Sequence, residues 1–189
     1  MDFVTQNMNL VIGGVVAVVL VLGVIIGIVS MKGGAKTAQR WTHGAIGIWS
    51  GAEDSGTWPG DRAQQSLKSW YGITDRPSLM KMVESLKGSA GRDSASWDMV
   101  RAIDLIRMGF AAGYLDEDDC WEKVKQVREL LQKQFSSWEE LATGFERGMH
   151  AWQDSRGQTD ANERGRVQKN LPVLKADIWS KVKFSATWD

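Results

Sequence analysis

Cysteine and histidine are scarce in this 189-residue chain, which holds one of the first and two of the second. A lone Cys120 cannot close an internal disulfide, so no disulfide framework holds the fold, and this usage suits a reducing compartment. Two histidines and one cysteine supply no repeated Cys/His spacing for zinc, and no metal ligands or cofactor-binding residues are assigned. The H-E-x-x-H, G-x-S-x-G and complete phosphate-loop patterns are absent, so no catalytic residues are assigned either. An excess of one charge is missing too: 23 basic residues balance 23 acidic ones. Of the charged residues only Asp2 precedes Lys32, so the remainder is near neutral, whereas a nucleic-acid reader usually carries a basic excess. No clear alternation of apolar and polar residues marks a strand.

What the chain does have is one long uncharged run and 10 tryptophans. The run from Leu10 to Met31, "LVIGGVVAVVLVLGVIIGIVSM", has the roughly 20 apolar residues that a helix needs to cross a bilayer. The preceding tail, residues 1–9, lacks the basic start of a cleavable signal, so the expectation is an uncleaved transmembrane helix over 10–31. Lys32, Lys36 and Arg40 follow it, which places the C-terminal side in the cytoplasm and the short N-terminal tail outside. Gly23 and Gly27 form a G-x-x-x-G pair, a candidate for helix packing against a second membrane helix. The stretch "GGAKT" lacks the glycine before its lysine and the strand that a phosphate loop needs, so Lys36 is read as an orientation charge.

Residues 32–60 mix glycine, serine and single tryptophans and end in a Trp-Pro-Gly turn, so they read as a juxtamembrane linker. From 61 to 189 the pattern is helical, giving an all-α class: one N-terminal transmembrane helix, then a multi-helix domain. Ala63, Leu67 and Trp70 recur at helical spacing before Gly72. Asp75 or Thr74 caps the next helix, with Pro77 in its first turn and Gly88 at its end. A third helix runs from near Ser96 to Gly113. A fourth begins at Asp116 and buries Cys120, Val124, Val127 and Leu131; the acidic run 116–119 is explained by the helix dipole. A fifth opens on the capping pairs Ser136 with Glu139 or Ser137 with Glu140, followed by Trp138, Leu141, Phe145 and Trp152. A polar helix extends to Asn170, and the remaining tail reads as irregular, with Trp179 and Trp188 as packing points.

Taken in order, "WYGITDR", "WDMVRAIDLIRMGFAAGYLDEDDCW", "FSSWEEL" and "RGMHAW" resemble the bacterial domain-of-unknown-function family 1266, to which YbeR-like proteins belong. The resemblance runs over about residues 62–188 and is carried by Trp70, Gly72, Ile73 and Arg76, then by Asp98, Arg101, Arg107, Gly109, Ala112, Gly113 and Tyr114. Phe135, Ser137, Trp138, Gly148 and Trp152 complete it. It implies a helical domain and no established reaction; the N-terminal membrane anchor is an addition to the family pattern.

Asp98, Arg101, Asp104 and Arg107 alternate in sign three residues apart, so they can form a ladder of opposite charges on one helix. Each step falls short of a full turn, so the ladder winds around the helix. It serves either to fix helix packing or, through Arg101 or Arg107, to hold an anionic ligand, with Trp70, Tyr114, Trp138 and Trp152 as pocket or packing residues. Trp41, Trp49 and Trp58 in the linker are candidate partner or interface anchors. The function read from the sequence is a membrane-anchored, non-enzymatic interaction or accessory subunit. It would lie in the bacterial inner membrane, with its cytoplasmic domain docked on a protein partner or membrane complex and with no nucleic acid. A small anionic-ligand-binding or catalytic domain is the alternative, and an immunity-type protein that neutralises a toxin is a third.

Overall fold

Four helices here start on a short polar side chain whose hydrogen bonds set where the helix begins. The computed structural model describes residues 33–51, 58–157 and 160–188. Asp75 accepts from the Ser78 backbone N–H at 2.8 Å while the Ser78 hydroxyl accepts from the Asp75 N–H at 3.3 Å, a reciprocal capping box. Asp116 accepts from the Asp119 N–H at 2.8 Å, and Ser137 accepts from the Glu140 N–H at 3.1 Å. Glu140 in turn accepts from the Ser136 N–H at 2.7 Å, and that bond holds its carboxyl below the usual carboxylate range. Asp160 accepts from the N–H groups of Asn162 and Glu163 at 2.8 and 3.2 Å. The helices are α1 (33–50), α2 (Gly60–Tyr71), α3 (Arg76–Lys87), α4 (Ala95–Ala111), α5 (Glu117–Gln134), α6 (Trp138–Ser155), α7 (Ala161–Ala176) and the short α8 (Ile178–Lys181). The described residues form no strand, so the all-α class holds. Gly72, at φ 67°, closes α2 in the left-handed region that glycine reaches without strain.

The described residues divide into a large unit within 38–186 and a small one that holds residues 33–37 and 187–188. Within the small unit, the Thr37 hydroxyl donates to the Gly33 carbonyl at 3.0 Å. In the large unit α4 is the central helix and packs against α2, α3, α5 and α6. Met99, Ile103, Leu105, Ile106 and Met108 are fully buried, which accounts for its apolar character on almost every side. Two glycines permit these close approaches. A Cβ at Gly109 would stand 2.2 Å from a Leu79 methyl of α3, and one at Gly148 of α6 would stand 2.8 Å from the Trp97 Cβ.

Three expectations are corrected. Where a linker was expected over 32–60, residues 33–50 are helical, and Trp41, Ala45 and Ile48 are fully buried at a spacing of four and three. Its glycines act as contact points. A Cβ at Gly44 would meet the Trp138 ring at 2.9 Å, and one at Gly47 would meet a Leu174 methyl at 2.7 Å. Nor is the C-terminal tail irregular: α7 runs through Pro172 to Ala176, and α8 follows. Pro172 cannot donate to the carbonyl one turn back. The helix persists because Val167 and Leu174 are fully buried on either side of it. The Asn170 amide also donates to the Ile48 and Trp49 carbonyls at 3.2 and 3.0 Å, tying α7 to the end of α1.

The third correction concerns the membrane. The expected span over 10–31, with Gly23 and Gly27, lies outside the described residues. Among the described residues no helix is long and apolar enough to cross a membrane. The single-pass inner-membrane placement is corrected on that finding: no described helix supplies a crossing segment.

Candidate functional site

Trp97, Val100, Arg101 and Asp104 are spaced by three, four and seven along α4, which puts them on one face. That face forms the floor of a cleft of about 810 Å³. Ile46 and Trp49 of α1, Trp70 and Tyr71 of α2, Met82 of α3, Phe145, Trp152 and Gln153 of α6, Arg156 after it, and Glu163 and Arg166 of α7 wall it. The volume lies within the range of small-molecule sites, roughly 300–1,000 Å³.

The indoles are in contact in a row. Trp49 meets Trp97 with ring centroids 5.9 Å apart, and Trp97 meets Trp152 at 5.8 Å. Across each of the three lies an arginine: Arg166 over Trp49 at 4.5 Å, Arg101 over Trp97 at 5.1 Å, and Arg156 over Trp152 at 4.9 Å. A guanidinium over an indole face is attracted by the ring quadrupole while its edge N–H donors stay available. Arg101 is held further, by Asp98 at 3.5 Å and by the Tyr71 ring at 5.8 Å. The guanidinium of neither Arg156 nor Arg166 enters a hydrogen bond or ion pair among the described residues, and both residues are exposed.

The acidic wall is fixed by a buried amide. Gln153 is almost wholly buried; its side-chain N–H donates to a Glu163 carboxylate oxygen at 3.0 Å, and its carbonyl accepts from Arg164 Nε at 3.0 Å. Arg164 also pairs with Asp154. Asp104 accepts from the Trp58 indole N–H at 3.4 Å, and Trp58 meets Trp70 edge-on at 6.2 Å. The Trp97 indole N–H is buried without a hydrogen-bond partner among the described residues.

The four ladder charges meet different neighbours. Asp98 and Arg101 pair, Arg101 and Asp104 line the cleft, and Arg107 turns towards α5. There Arg107 donates to the Cys120 sulfur at 3.6 Å and lies over the Trp121 ring at 4.7 Å. Burial pushes the Cys120 thiol up, with Arg107 opposing it; burial and then Arg107 push the His43 imidazole down. Cys120 is fully buried, as its stripe position suggested.

Of the remaining expected site residues, Trp70, Trp49 and Trp152 line the cleft, whereas Tyr114 and Trp138 do not. Trp41 is fully buried in the core, so it is no exposed anchor. The acidic run at the start of α5 is accounted for locally: Asp116 caps the helix and Asp119 pairs with Arg76 of α3, which lowers the Asp119 pKa. No group of His, Cys, Asp or Glu among the described residues is placed to hold a metal ion. Sequence reasoning missed Gln153, Arg156, Glu163 and Arg166. The four-residue step from Trp152 to Arg156 was a usable signal, since it stacks the two on one helix face.

The profile of the family described as Protein of unknown function (DUF1266) matches residues 87–183. The chain belongs to that family. The match takes in the α4 floor and the α6 and α7 walls of the cleft, while Trp70, Gly72, Ile73 and Arg76 lie before it. No curated protein and no solved structure matches the chain.

Proposed function

We propose that this domain binds a small anionic molecule that carries a flat ring, in the cleft over α4. The observation that carries the reading is the row of three indoles, each crossed by an arginine, along the walls of one cavity. Flat apolar faces favour a ring, and guanidinium forks favour a carboxylate or phosphate. A ligand at a hundred times its Kd stabilises the folded state by about 2.7 kcal/mol, enough to read as a thermal shift. Phenyl phosphate at millimolar concentration is expected to raise the Tm of the wild-type chain and to do so less for Trp70→Ala; benzyl alcohol is expected to leave it unchanged. Equal shifts from both compounds, or none from either, would contradict the reading.

Docking of a protein partner is a second reading, favoured by Trp70, which is 64% exposed at the cleft rim. It now rests on Trp70 with Trp58 and Trp49, since Trp41 is buried. Saturating phenyl phosphate would compete with such a partner, so one probe addresses both.

A further inference from the structure

The cleft offers three chemistries at once, and their combination narrows the ligand class beyond a generic ring-bearing anion. Trp70 presents an exposed ring and the other indoles lie under guanidinium planes, the exposed arginines present donors, and Glu163 is a fixed acceptor. Gln153 satisfies one Glu163 oxygen from below and so orients the carboxylate at the wall. A carboxylate in a ligand cleft accepts N–H or O–H groups, as it would from an amino-substituted base or a sugar hydroxyl. An anion, by contrast, is repelled by Glu163 and Asp104 and is drawn to whichever arginine has donors to spare. Arg101 is not that residue, because Asp98 and two ring faces already hold it. Arg156 and Arg166 are held only by their tryptophans among the described residues.

Resting on the cleft as a ligand site, we infer that it takes a free nucleotide: the base lies against Trp70 and the guanidinium planes that cover the other indoles, Glu163 accepts from base or sugar, and the edge N–H groups of Arg156 and Arg166 hold the phosphate. Arg101 is then a positioning residue that keeps Trp97 and Tyr71 in place. The near-neutral charge of the chain fits a single nucleotide better than a nucleic-acid strand, which needs a basic track.

The test is calorimetric titration of the full chain with AMP, GMP, CMP and UMP, with the matching nucleosides and phenyl phosphate as controls. At least one nucleotide is expected to bind about tenfold or more tightly than its nucleoside and than phenyl phosphate. Arg156→Gln and Arg166→Gln should each weaken that nucleotide about tenfold, the loss of one charge-assisted contact, and leave nucleoside binding and Tm unchanged. Phenyl phosphate binding as tightly as every nucleotide would overturn the nucleotide class and leave the anionic-ring reading standing. Arg101→Gln weakening the nucleotide as much as the other two, at unchanged Tm, would overturn the phosphate position. Absence of binding by every probe would remove both readings together.

Discussion

Two aromatic clusters in this domain are built from the same residue type and sit in different surroundings. In the first, Trp138 stacks on Trp179 at 5.6 Å and touches Trp41 at 5.3 Å and Phe184 at 5.1 Å. All three of its tryptophans are buried, and each indole N–H donates to a backbone carbonyl: Trp41 to Phe184, Trp138 to Val182 and Trp179 to Gly44. Neither Trp138 nor Trp179 carries an arginine on its ring face among the described residues. The second cluster, in the cleft, has arginines across its rings, an exposed Trp70 and a Trp97 N–H without a partner among the described residues. A tryptophan that satisfies its N–H on backbone while buried against other rings is structural. One that faces a cavity and pairs with a cation is available for binding.

The largest expected effect breaks the first cluster. Trp138→Ala removes a buried indole and orphans the Val182 carbonyl, so it should destabilise the domain by about 3–5 kcal/mol, measured by urea unfolding. Trp70→Ala, in the second cluster, should stay within about 0.5 kcal/mol by the same measurement. Next comes Gly148→Ala, which drives a methyl against the Trp97 Cβ and the Ser94 Cα at 2.8 and 3.3 Å. Overpacking of this kind costs about 1–3 kcal/mol, and because Trp97 is the shared wall, a near-ultraviolet circular dichroism change should accompany it. Ser137→Ala removes the cap of α6 and should cost about 1 kcal/mol in the same denaturant series.

The smallest effect is a pH slope. His43 has its pKa lowered by burial and then by Arg107, so the folded state favours the neutral ring. The unfolded chain then binds the extra proton, and stability present above about pH 6.5 is lost as pH falls through the folded value. His43→Gln should flatten that slope between pH 7 and 5. An unchanged slope would contradict the lowered His43 pKa.

Much of the fold was legible because its signals are local. The caps at Asp75, Asp116 and Ser137, the stop at Gly72 and the stripe from Cys120 to Leu131 all follow from spacing within one helix. What failed depended on contacts distant in sequence. Gly44 and Gly47 read as loop glycines, yet they let α1 approach Trp138 and Leu174, residues about a hundred positions away. The tail after Asn170 read as irregular, yet Leu174 and Asn170 hold α7 against α1 through Pro172. The cleft was half visible: its α4 floor has a spacing that can be read, but Arg156, Glu163 and Arg166 reach it only through the α6 to α7 turn. The α4 ladder showed that the charges could pair, whereas tertiary packing decided that Arg101 faces aromatic rings and Arg107 faces Cys120.

The central claim is that one tryptophan cluster binds and the other supports. Its most direct test is a two-dimensional proton–nitrogen NMR spectrum of the indole N–H groups of the full chain, titrated with the nucleoside monophosphate that binds in calorimetry. The account predicts that the signals of Trp49, Trp70, Trp97 and Trp152 move with added nucleotide while those of Trp41, Trp138 and Trp179 stay in place. Movement of the second set with the first unmoved would contradict it.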